Sequence, residues 1–114
     1  MGGMTFAVPI LPGKTEDWKR AVAEMKGPRR EAHADSRRKL GIRREVVSLQ
    51  HTPDGDVVVV FVEGDDLDTL VAREAASDHP FDQWFMETIM KGTHGMDPAK
   101  GPPPVNEVHI DWSD

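Results

Sequence analysis

The sequence predicts a single α+β domain, and three observations carry that prediction. Val57-Val58-Val59-Val60-Phe61-Val62 is apolar at every position, which marks a strand needing burial on both faces. Asp54-Gly55 stands just ahead of it and is a strong hairpin signal after another strand-like stretch. Trp18, Ala21, Val22 and Met25 recur at helical spacing and should face a sheet. The 114 residues suffice for one core without staples, so residues 1–114 are read as one domain.

Thr5–Leu11 reads as the first strand, with Pro9 placing it at an edge or a bulge. Pro12-Gly13 turns the chain. Thr15 suits a helix N-cap, with Glu16 and Asp17 placing negative charge in the first turn. Gly27-Pro28 interrupts that helix, because proline lacks the amide hydrogen the preceding turn requires. The restarted helix carries Ala32, Ser36 and Leu40, and stops at Gly41 behind basic Arg37, Arg38 and Lys39. Strands over Arg43–His51 and Asp56–Glu63 flank the Asp-Gly turn. A helix starting near Asp65-Asp66 carries Leu67, Leu70, Val71 and Ala75. After Asp78-His79-Pro80, with Asp78 as the expected cap, another helical piece carries Phe81, Trp84, Phe85, Ile89 and Met90. Residues 92–104 form a loop, and Val105–Trp112 alternates as a last strand.

This order is the split βαβ, ferredoxin-like arrangement: βαββαβ, a four-stranded antiparallel sheet, and a second helix split in two. One face of such a sheet is normally wet. The apolar strand 57–62 implies that here it is covered, and a second copy of the sheet is the simplest cover, so a homodimer is expected.

Composition narrows the function classes. Without cysteine, disulfides and thiolate chemistry are excluded, and a metal site would need His, Asp or Glu. No apolar run approaches the roughly 20 residues that span a bilayer, so no membrane partner is expected. Met1-Gly2-Gly3-Met4 does not resemble a signal peptide, and a cytoplasmic protein is the default reading. Residues 14–45 hold eleven Lys/Arg against six Asp/Glu, a balance of +5, while residues 46–114 hold three against fourteen, a balance of −11; together these give the net −6. The acidic half repels phosphates, and no aromatic residue interleaves the arginines of 29–44, so no nucleic-acid partner is expected.

Four groups of residues carry candidate chemistry. Arg29, His33 and Arg37, at i, i+4 and i+8, share one side of a helix; guanidinium groups bracketing a histidine suit a carboxylate or phosphate, with His33 moving a proton. A solvated basic face explains the same row. His79, with Asp78 and Asp82, stands at a helix entrance, where capping is the plain alternative. Trp84 and Phe85 are neighbours pointing different ways, so one should be core and the other available as a pocket wall or a dimer contact, with core packing of both as the plain alternative. His94 with Asp97 supplies two ligands, short of the three or four that a transition metal needs, so no metal and no cofactor is expected.

The topology, with its Asp-Gly hairpin and doubly apolar sheet, resembles the dimeric α/β-barrel superfamily, which includes antibiotic-biosynthesis-monooxygenase-like and stress-responsive barrel proteins. Ser36-Arg37-Arg38 with Leu40-Gly41-Ile42, Asp78–Phe85 and His94-Gly95-Met96-Asp97 resemble a small family of uncharacterised bacterial proteins of that fold. Superfamily members include cofactor-free oxygenases, haem-dependent enzymes and isomerases, so the resemblance implies a fold and not one chemistry. The expectation is a pocket between sheet and helices for a small anionic or aromatic metabolite. His33 and Arg37 would be catalytic there, with Arg29, His79, Trp84, Phe85 and His94 binding the ligand, and one version is a cofactor-free oxygenase. The alternative is a non-catalytic dimeric domain without a ligand site.

Overall fold

The computed structural model describes residues 2–114; Met1 lies outside the described residues. In chain order it has β1 (Gly2–Pro9), α1 (Thr15–Lys26), α2 (Arg30–Lys39), β2 (Ile42–Thr52), β3 (Gly55–Gly64), α3 (Leu70–Ala75) and α4 (Pro80–Phe85). A 3₁₀ turn over Leu67–Thr69 leads into α3, and α4 runs on as a π-helical stretch over Met86–Lys91.

The sheet is antiparallel, in the order β1-β3-β2. β3 is central. Its pairings Met4↔Val62, Phe6↔Val60 and Val8↔Val58 on one side, and Glu45↔Val62 and Val47↔Val60 on the other, put these residues on one face. Val58, Val60 and Val62 are buried there in one cluster with Trp18, Ala21 and Met25 of α1, Leu70 of α3 and Phe81 of α4. Val57, Val59 and Phe61 point to the opposite face and are only half-buried, with Val46 exposed beside them. The expectation of burial on both faces therefore does not hold within one chain, because the helical core lies on one side.

Among the described residues the sheet has three strands, not four. The last segment touches β1 through one bridge, Phe6 with Val105, and through the Asn106 amide, which donates to the Thr5 carbonyl at 2.8 Å. That is where a fourth strand would lie. In an antiparallel register onward from this bridge, Val108 would meet Gly3 and β1 would then run out, so the edge is too short for the whole segment. Val108, Ile110 and Trp112 are 58%, 85% and 78% exposed.

The break at Gly27-Pro28 separates α1 from α2, and Gly41 ends α2 with φ +79°, the left-handed conformation that favours glycine. Gly64, at the end of β3, lets two backbones meet: a Cβ there would lie 2.3 Å from the Gly41 carbonyl oxygen. Two expected caps are corrected. Thr15 lies inside α1, where its hydroxyl donates to Asp56 at 2.6 Å. Nδ1 of His79, not Asp78, accepts the Phe81 amide at 3.1 Å and caps α4, because Pro80 opens the helix at the next position.

Candidate functional site

A cavity of about 500 Å³ lies between the helices and the Val58/Val60/Val62 face of the sheet. Trp18, Met25, Ile89 and Met90 add to its apolar lining. Most of its polar side comes from three elements. α2 presents Arg30, His33 and Arg37, at i, i+3 and i+7; β2 presents Glu45 and α3 presents Glu74.

Arg37 organises this polar side although its side chain is only 8% exposed. Its Nε lies 3.2 Å from the Glu45 carboxylate, and its Nη1 donates to Ser36 Oγ at 3.1 Å. Nη1 also stands 3.6 Å from Glu74 and 3.7 Å from Asp82. The guanidinium packs over the rings of Phe85 and Phe81, at 5.0 and 5.3 Å from their centroids. Burial opposes its charge, but the surrounding carboxylates outweigh that and hold its pKa above the ordinary arginine value. Asp82, 2% exposed, is itself satisfied: Ser36 donates to one carboxylate oxygen and Ser77 to the other at 2.6 Å.

The two cavity carboxyls are driven in opposite directions. Burial disfavours the charge on Glu45, yet the hydrogen bond with His33 Nε2 at 3.0 Å and the Arg37 charge prevail, so its pKa lies below the usual value. Glu74 lacks such support. Its Oε1 is buried without a hydrogen-bond partner, and desolvation outweighs the attraction of Arg37, raising its pKa to about 7. The site thus offers a carboxyl able to give or take a proton near neutrality.

His94 follows the π-helical stretch and also lines the cavity. Its Nδ1 lies 2.8 Å from the Pro9 carbonyl, which fixes the proton there in the neutral ring and leaves Nε2 as a base. Burial holds its pKa below the ordinary histidine value.

Of the residues singled out from the sequence, His33, Arg37, Phe85 and His94 line the cavity. The other three are placed elsewhere. Arg29 pairs with Glu24 at 3.3 Å and packs 4.2 Å from the Trp84 ring centroid, and His79 Nε2 lies 2.9 Å from Asp35. The cavity-facing row of α2 therefore begins at Arg30 rather than Arg29, because the i+3 step to His33 and not the i+4 step follows the face. Arg37 is not a free anion receptor, being already enclosed by three carboxyl groups.

Sequence reasoning missed Glu45 and Glu74, and named Asp82 only as a companion of His79 at the helix entrance. Signals for the first two existed: Glu74 interrupts the apolar stripe of Leu67, Leu70 and Val71, and Glu45 shares strand parity with Val47 and Leu49. An acid on a core-facing position is the sign of a polar site. Asp82, beside Phe81 and within the first turn of a helix, read as an ordinary dipole partner.

Among the described residues, no group of three or more His, Asp or Glu side chains could hold a metal ion, and no helix is long and apolar enough to cross a membrane. No family model matches the chain, and no curated protein matches it. Among solved structures it is similar to the tetracenomycin F2 cyclase of Streptomyces glaucescens, a type-II polyketide cyclase, with a TM-score of 0.60 and 19% identity over 100% of this chain and 99% of that one. At that identity the likeness shows the fold alone; the α+β order and antiparallel sheet are consistent with the ferredoxin-like arrangement, with three of the four expected strands formed.

Proposed function

We propose that the cavity binds a small, largely apolar, ring-containing metabolite and transfers a proton on it without a cofactor. The observation that carries this is the Glu74 carboxyl: it lines the cavity, is buried, and has one oxygen with no hydrogen-bond partner. A carboxylate there takes a proton from a carbon next to a carbonyl, leaving an enolate, and the resulting acid returns the proton. A pKa of about 7 suits both directions near neutral pH. Arg37, with Nη1 3.6 Å from Glu74, positions that carboxyl, and Glu45 and Asp82 keep its guanidinium in place. His33 orients Glu45, while Phe85 and His94 contact the ligand. Arg29, Trp84 and His79 support the site by tying α2 to α4. Aromatic polyketides belong to this ligand class, which is where the likeness to a polyketide cyclase agrees with the geometry.

The test uses 2-tetralone, a bicyclic ketone, and follows exchange of its α-protons in D₂O by NMR. Wild-type protein accelerates exchange, and Glu74→Gln loses about 10²-fold or more of that acceleration. Equal exchange with and without protein, together with no thermal shift from phenols, naphthols or aromatic acids, overturns the reading in favour of a non-catalytic domain.

We also propose a homodimer. The half-buried outer face of β3 and the exposed Val108, Ile110 and Trp112 are apolar surfaces that a second copy of the chain would cover. A monomer mass by light scattering at micromolar concentration would sink this proposal.

A further inference from the structure

We infer that Lys26 and Arg30 form an anion-binding rim on the cavity, so that its ligand is an apolar body bearing one terminal carboxylate. The inference rests on the small-molecule reading of the cavity and adds which end of the ligand carries charge. Both residues line the cavity and both are exposed. They sit on either side of the Gly27-Pro28 break, Lys26 closing α1 and Arg30 opening α2. No carboxylate among the described residues pairs with either of them. Neighbouring cations differ: Arg29 is held by Glu24, and Arg37 by Glu45, Glu74 and Asp82.

The cavity therefore carries two kinds of cation. Arg37 is enclosed deep in the polar side and its charge is already answered by acids. Lys26 and Arg30 face water with their charge unanswered, at the edge of a largely apolar surface. A neutral ligand leaves that charge unused. A ligand with a carboxylate places the anion between an ammonium and a guanidinium fork, with its ring system on the valines and methionines within. Such an arrangement fixes the orientation in which the ligand enters and selects which of its carbons reaches Glu74.

The experiment measures the affinities of 2-naphthoate and of its neutral isostere 2-naphthamide for the whole chain at low salt. Exposed ion pairs are modest, so wild type should favour the acid by about fivefold. Added salt should erode that preference. The Lys26→Ala, Arg30→Ala double variant should bind both compounds alike. Lys19→Ala, an exposed lysine that does not line the cavity, should keep the preference. If wild type binds both equally, the rim assignment is overturned while the cavity reading stands. If neither compound binds, the cavity reading falls and takes the rim with it.

Discussion

Replacing Glu74 by Gln fixes the side chain in a shape close to its protonated form, and the consequence for stability depends on pH. Burial moves the carboxyl from 4.5 to about 7, so the folded chain holds this proton more tightly than the unfolded chain does. Wild-type protein therefore loses stability as pH rises from 4.5 to about 7, and the Gln variant has no such loss. The side chain is only 12% exposed, so solvent screening takes little away. The difference between the two pKa values corresponds to about 3 kcal/mol. Urea unfolding followed by the fluorescence of buried Trp18 measures the gap at pH 5, 6, 7 and 8. Glu74→Gln should exceed wild type by about 1 kcal/mol or less at pH 5 and by about 3 kcal/mol at pH 8. A gap that stays constant across this range refutes the reasoning, as does a wild type that is the more stable at pH 8.

Arg37→Met should cost about 3–5 kcal/mol at pH 7 by urea unfolding, because it leaves Glu45 and Asp82 buried without their cation; a loss below 1 kcal/mol would show that the carboxyls find other partners. His79→Ala should cost about 1 kcal/mol through the lost cap on α4, and His79→Asn should recover most of it. Gly41→Ala should cost about 1–2 kcal/mol, since an L side chain is strained at φ +79°. If Val108, Ile110 and Trp112 are covered by a second copy, Ile110→Asp with Trp112→Asp should convert the dimer to a monomer in light scattering.

Element type was legible wherever local chemistry and packing agreed. The Asp54-Gly55 turn, the Gly27-Pro28 break and the Gly41 stop all follow from residues whose backbone preferences leave few choices. The fourth strand was not legible, because its alternation of Val108, Ile110 and Trp112 specifies a strand without specifying an edge long enough to receive it. Part of the site was visible in the same way. His33 and Arg37 stand out by composition and spacing, and both reach the cavity. Arg29 and Arg30 are adjacent arginines, and only the rotation of α2 against Trp84 decides which of them faces inward. Glu74 is one of many acids in an acidic half, and its significance arises from burial beside Arg37, which is a tertiary property.

The most direct test of the account is a titration of the Glu74 carboxyl by ¹³C NMR, with and without saturating 2-tetralone, assigned by its absence in Glu74→Gln. The account predicts a midpoint near 7 that moves when the ligand fills the cavity. A midpoint at the ordinary 4.5, unmoved by ligand, would contradict it.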